Sequence, residues 1–327
     1  MYRFIQCVIQ RRSVYIVKMQ NENKCLIEVN PNAKQIIRVL FGLDQPGRLE
    51  EAITVLEEWI KKQDHFVKKD FSKDFLERLI IINKGLLERT KKKLDKICTL
   101  RTLMPEFFGA YNIKKDFNDV NLIVDAIMPK TTSDFYRIYF MKNNNCTSPS
   151  FLNYYRRLVF YLEYMLQYDY SVGIVIIVDY MDTNLLELIK TMSITELRQA
   201  TVLFMEGYGL RVKGIHFLTP SKFIDGFVAL WKQILSEKVA NRLHVHKSLE
   251  SLHDSIPKDL LPAEYGGKEK TLVEIHENII NTLSEKKFIN YMESVMEART
   301  DESRRAPDKF NEHHLGMPGS FRSLVVD

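Results

Sequence analysis

Long apolar runs are missing from this 327-residue sequence. The most extended one, inside "SVGIVIIVDYM", meets Asp179 before it could cross a bilayer, so no transmembrane helix is expected. Cysteine is scarce: Cys7, Cys25, Cys98 and Cys146 stand far apart without a CxxC pair. That spacing argues against a disulfide framework or a structural zinc module and points to a reducing compartment. Charge imbalance is small too, since 47 basic and 42 acidic residues leave a net +5. So slight and dispersed an excess does not fit nucleic acid, which calls for a concentrated basic stripe, although a local patch facing an anionic membrane stays open. The sequence has no GxxxxGK[ST] loop and no GxSxG elbow. "GYGLRVKG" supplies Gly207 and Gly209, but Val212 fills the third place of GxGxxG, where close helix packing needs glycine, so no dinucleotide site is expected.

Candidate chemistry is equally thin. His244 and His246 lie two apart on an expected strand and so share a face, with His253 not far beyond, yet no spacing marks a third ligand. We read them as surface or hydrogen-bonded histidines and expect no metal and no other cofactor. Asp179, at a strand end, reads as a turn or cap residue rather than a general base. The N-terminal "MYRFIQCVIQRRSVYIVKMQ" scatters Arg and Lys through its apolar residues and shows no small-residue cleavage site, so a signal peptide is not expected and the expected location is cytoplasmic.

What is present is ordinary for a folded chain: 45% hydrophobic and 27% charged residues, enough for one large domain or two smaller ones. Residues 19 to about 112 read as helices and turns. Leu49, Ile53, Leu56 and Ile60 recur at helical spacing, Ser72 is a candidate N-cap, and Lys91, Lys92 and Lys93 read as a solvated helix face. Beyond "MPEFFGAYN" strands alternate with helices. "YRIYFMK" (136–142) is a strand, 148–170 a long helix capped by Ser148 or Ser150, and "GIVIIVDY" a buried strand, so the two strands should be parallel. A helix over 193–208, the strand "VKGIHFLT" and the short strand "RLHVH" extend the series into a mostly parallel sheet.

The segment from Phe223 to Leu235 carries two adjacent apolar rows: Phe223, Phe227, Leu230 and Ile234, then Ile224, Val228, Trp231 and Leu235. Two readings fit so broad a face. One is a core helix packed on two sides; the other is a gate over an apolar cavity, able to exchange cavity contacts for bilayer contacts. Arg211, Lys213, Lys238 and Arg242 flank it.

"LRVKGIHFLTPSKFIDGFVALWKQILSEKVANRLHVHKSLESLHDSIPKDLLPAEYGG" resembles the most characteristic segment of the CRAL-TRIO lipid-binding family, to which tocopherol transfer and cellular retinaldehyde-binding proteins belong. "FLERL" and "ERTKKKLDKICTLRTLMPEFF" resemble that family's helical N-terminal domain, and "GSFRSLVVD" the tail of its insect members. The resemblance implies an α/β fold in which a mostly parallel sheet floors a hydrophobic pocket closed by a lid helix. It divides the chain into an extension (1–18) outside the fold, a helical domain (19–112), the lipid-binding domain (113–275) and a C-terminal helix with an extended tail (276–327). It implies pocket walls among Leu158, Tyr161, Leu162, Met165, Ile176 and Val178, with Phe223, Phe227 and Trp231 on the lid. Tyrosine hydroxyls are candidate partners for a ligand with one polar end.

In the tocopherol-transfer branch, basic residues beside the lid engage phosphoinositide headgroups, which maps onto Arg211, Lys213, Lys238 and Arg242. Two departures stand out. Leu79, Ile80, Ile81, Ile82 and Asn83 replace the basic run that follows Arg78 in that branch, and Asp182 stands where many members have glycine. The implied function is non-enzymatic carriage of one hydrophobic molecule, such as a retinoid, tocopherol, carotenoid or phospholipid, by a monomer that visits membranes and binds no nucleic acid. The alternative is a lipid-sensing regulatory module acting through a protein partner.

Overall fold

A computed structural model describes residues 26–305. The expected extension over 1–18, Cys7, Cys25 and the closing "GSFRSLVVD" lie outside the described residues.

Four helices come first: α1 (Ala33–Leu40), α2 (Arg48–Lys61), α3 (Lys73–Ile82) and α4 (Leu87–Leu103). Leu49, Ile53, Leu56 and Ile60 fall one turn apart on α2 and are all buried. Ser72 caps α3, its hydroxyl accepting the Phe75 amide. The lysine run on α4 is not uniformly solvated. Lys92 is exposed and Lys91 pairs with Glu88, but Lys93 turns inward and donates to the carbonyls of Met205 and Glu206 at 3.0 and 2.6 Å. Burial pulls its amine down to about 8.

The sheet has five strands in the order β1 (Ile123–Thr131), β2 (Tyr136–Asn143), β3 (Gly173–Asp179), β4 (Val212–Leu218) and β5 (Leu243–His246). β2 through β5 are mutually parallel, in keeping with the sequence reading. β1 is an addition to that reading: it pairs antiparallel with β2 through a tight turn in which Phe135 adopts a φ of 59°. Asp125 and Pro129 break its apolar pattern, which hides it in the sequence.

Between β2 and β3 runs α5 (Phe151–Tyr168), capped by Ser150, whose hydroxyl accepts the Asn153 amide. Next come α6 (Leu185–Thr191) and α7 (Ile194–Thr201), which continues into a six-residue π-helix, Val202–Gly207. The remaining helices are α8 (Ile224–Ile234), α9 (Glu237–Ala240), α10 (Leu249–His253), α11 (Leu272–Leu283) and α12 (Lys286–Glu297). Strand periodicity sends alternate side chains to opposite faces. One face is covered by α10 against β4 and β5 and by α11 against β1, with Phe140 packed on Tyr265 at 4.4 Å. The other face floors a cavity.

Candidate functional site

The strand register assembles the floor in two cross-sheet rows. Ile127, Tyr139, Ile176 and Ile215 are successive partners across β1 to β4, and one pleat away so are Asp125, Met141, Val178 and Phe217. Opposite them α5 presents Tyr154, Tyr155, Leu158, Tyr161, Leu162 and Met165, a stripe at helical spacing. Phe204 and Met205 of the π-helix and Phe227 and Trp231 of α8 complete an apolar cavity of about 170 Å³. Leu158, Tyr161, Leu162, Met165, Ile176 and Val178 therefore share one cavity. Its volume lies below the roughly 300–1,000 Å³ of small-molecule pockets. A molecule of that size is accommodated by displacing wall side chains, and the unbranched Met141, Met165, Met192 and Met205 are those that adapt most easily.

One end of the cavity is polar, and sequence reasoning missed it because it depends on β1. Asp125 is fully buried, and its carboxylate pairs with Arg157 Nη2 at 3.1 Å. It accepts the Tyr139 hydroxyl at 2.8 Å and the Tyr161 hydroxyl at 3.0 Å. Burial alone would raise this carboxyl; the charge of Arg157 together with hydrogen bonds from His276 and Tyr139 outweighs it and holds Asp125 below its ordinary value. A second hydroxyl pair, Tyr139 with Tyr154 at 2.7 Å, carries the network from Asp125 to the cavity wall.

The lid candidate α8 is thinly anchored. Within it only Ile224 and Phe227 are fully buried, and Phe227 sits edge-on to Phe217 and Tyr180 at 5.4 and 5.5 Å. At about 1.5–3 kcal/mol for each large side chain exposed, detaching two such anchors costs on the order of 3–6 kcal/mol, within reach of compensation by a bilayer. Phe223 is a correction to the lid set. It precedes the first helical turn, is 38% exposed beside Lys222 and does not face the cavity. Trp231 does line the cavity, and its indole N–H is buried without a hydrogen-bond partner among the described residues.

Around the base of this region cations gather. Arg211 lies half-buried over the Phe41 ring with Nη1 unpartnered, and Lys213 Nζ stands 4.5 Å above the Tyr136 ring. Lys238 is exposed, while Arg242 donates to the Val212 carbonyl. Lys84, from the α3–α4 connection, and Arg89, in the first turn of α4, join the group; sequence spacing gave no sign of them. The charge of Arg211, followed by burial and by the charges of Lys238, Arg89 and Lys213, holds Lys84 below its ordinary value. Burial, then Arg89 and Arg242, act likewise on Arg211. None of the six forms an ion pair among the described residues. Lys84, Arg211 and Lys213 also edge a surface depression shared with Ile36, Leu40, Phe41 and Leu86.

The model of the CRAL/TRIO domain matches residues 76–267, more than half of the chain. The chain belongs to the CRAL/TRIO family. Among its relatives, the mouse alpha-tocopherol transfer protein-like protein is 24% identical over 242 residues, spanning 72% of this chain and 70% of the relative. The human protein of that name is 33% identical over 118 residues, spanning 36% and 34% respectively. Xenopus laevis clavesin-1 is 29% identical over 135 residues, covering 40% of each. The crystal structure of Sfh5 aligns with 82% of this chain and 98% of its own at 14% identity and a TM-score of 0.46.

Other residues of this CRAL/TRIO chain that drew notice in the sequence have local roles. His246 hydrogen-bonds His216 at 2.9 Å and Ser251 at 3.2 Å, and His216 also stacks on His244 at 4.8 Å. His253 Nε2 lies 2.9 Å from the Tyr265 carbonyl. Asp179 accepts the Met181 amide and the Tyr265 hydroxyl, fixing the turn after β3. In that turn Asp182 pairs with Lys142 at 2.9 Å and does not take a positive φ, so the departure from glycine needs no left-handed backbone there. Among the described residues no helix is long and apolar enough to cross a membrane.

Proposed function

We propose that this chain encloses one hydrophobic molecule, of the retinoid, tocopherol, carotenoid or phospholipid kind, between the sheet and α5, and exchanges it with membranes without covalent chemistry. The observation that carries this reading is the apolar cavity roofed by a helix anchored through only two buried side chains. In the same reading α8 swings away at a bilayer and Phe227 and Trp231 trade cavity contacts for acyl chains. The unpaired cations Lys84, Arg211, Lys213 and Lys238 face anionic headgroups, phosphoinositides among them, where several charges act together. Exposed Ile36, Leu40 and Leu86 beside them supply the apolar component of an interfacial surface. Names of relatives support the direction of this reading, since tocopherol transfer is what the mouse and human proteins are called after.

Movement of a fluorescent lipid from donor to acceptor vesicles tests it. Transfer that quickens when the acceptors contain phosphoinositide is the expected result. Binding without transfer would favour a lipid sensor acting through a protein partner, and absence of both would refute the reading.

A further inference from the structure

The polar end of the cavity has a direction, and the direction follows from proton counting. Asp125 is held as a carboxylate by Arg157 at 3.1 Å, and a carboxylate accepts hydrogen bonds but cannot donate them. The Tyr139 hydroxyl, 2.8 Å from Asp125 Oδ2, must therefore spend its single proton there. In the 2.7 Å contact between Tyr139 and Tyr154 the remaining proton is that of Tyr154, so Tyr154 donates and Tyr139 accepts. Tyr161 cannot reverse this order, because its own proton goes to Asp125 Oδ1 at 3.0 Å. The chain of donation thus runs from Tyr154 to Tyr139 to Asp125. It ends, on the cavity wall, at the Tyr154 oxygen, which has no other hydrogen-bond partner among the described residues.

From this order we infer that Tyr154 is a hydrogen-bond acceptor for the ligand, and that the cavity selects lipids whose buried polar end is a hydroxyl over those ending in an aldehyde or an ether. The inference rests on the proposed lipid-binding function and deepens it. A hydroxyl can give its proton to Tyr154, continuing the chain, whereas an aldehyde or ether oxygen would face the Tyr154 lone pairs with no proton between them. Opposed acceptors in a dry site leave both groups unpaired, and sites built on a hydrogen bond discriminate strongly against analogues that cannot make it. Asp125 lies behind the cavity wall, and Tyr139, although a wall residue, has its proton committed to Asp125; both act as positioning residues that fix which way Tyr154 points its proton. Tyr180, also on the wall, has a hydroxyl without a partner among the described residues and is the group an acceptor ligand would use instead.

The test is calorimetric titration of the full chain with dodecanol, dodecyl methyl ether and dodecanal, which share one hydrocarbon chain and differ in the proton. Dodecanol should bind about tenfold more tightly than either of the others, the effect of one buried hydrogen bond. Tyr154→Phe should reduce that ratio to within about twofold without weakening the ether's binding, a split that simple loss of stability would not produce. Tyr139→Phe should also shrink the ratio, because the Tyr154 proton is then no longer committed. Equal affinities in the wild type, or a preference for dodecanal that Tyr180→Phe removes, would overturn the inference while leaving lipid binding intact. Failure of all three compounds to bind would overturn the lipid-binding reading and this inference together.

Discussion

Phe227, on α8, meets Phe217, on β4, edge to face with ring centroids 5.4 Å apart and planes 80° from parallel. With the neighbouring contact to Tyr180 at 5.5 Å, it joins the roof of the cavity to its floor. Phe227→Asp places a charge that is unwelcome in the closed cavity and in a bilayer alike. Ligand retention and membrane insertion should both fall at least tenfold, measured by ligand off-rate and vesicle flotation.

Gly226 lies in the first turn of α8, and a methyl group there would meet nothing within 4 Å. Gly226→Ala should stiffen the helix by about 0.5–1 kcal/mol without a clash. The expected consequence is slower ligand release at an unchanged melting temperature of the remainder of the fold. Unchanged release kinetics would mean that α8 does not gate the cavity.

The cation group permits a cleaner change than its most buried members. Arg242 is tied to the Val212 carbonyl, so its loss would disturb β4, whereas Lys84 and Lys213 form no ion pair among the described residues. Replacing both lysines by Ala should weaken binding to phosphoinositide vesicles by on the order of tenfold, at about 1 kcal/mol for each basic residue near an anionic surface. Added salt should mimic part of the loss. Affinity for the enclosed ligand should stay the same.

Acid should destabilise the fold through the stacked histidines. Burial, then the charges of His244 and His246, push His216 down to about 3 from 6.5. Between these values the unfolded chain takes up a proton that the fold refuses, so the contribution is whole above pH 6.5 and is lost as pH falls toward 3. Its size is on the order of 2–4 kcal/mol. Asp95 and Asp125, held below their ordinary 3.8, and Glu250, Glu274 and Glu302, held below 4.5, lose their contributions at lower pH, which leaves about pH 5 to 6.5 for the histidines. Melting temperatures of His216→Gln should decline less steeply than the wild type across that window.

Much of this arrangement was legible in the sequence. The short continuous apolar run of β3, bounded by Gly173 and Asp179, the Ser72 and Ser150 caps and the helical stripe of α5 are local signals, and each leads to the element it marks. β1 was not legible. Between the cavity-lining Ile123 and Ile127, on the same side of the strand, Asp125 places a carboxylate where alternation calls for an apolar side chain, and the partner that makes it tolerable, Arg157, lies on a helix distant in sequence. Lys93 misled for the same reason. Nothing within its lysine run reveals that the carbonyls of Met205 and Glu206 wait in the π-helix. Phe223 follows the helical spacing but precedes the first turn, where the chain has not yet taken the direction that aims a side chain at the cavity.

Native mass spectrometry of the full chain purified from eukaryotic cells, followed by organic extraction, tests the central claim most directly. Our account requires one hydrophobic molecule per chain, retained by the wild type and lost from Phe227→Asp. A wild-type protein that flies at its bare mass, and still does so after incubation with a total lipid extract, would contradict it.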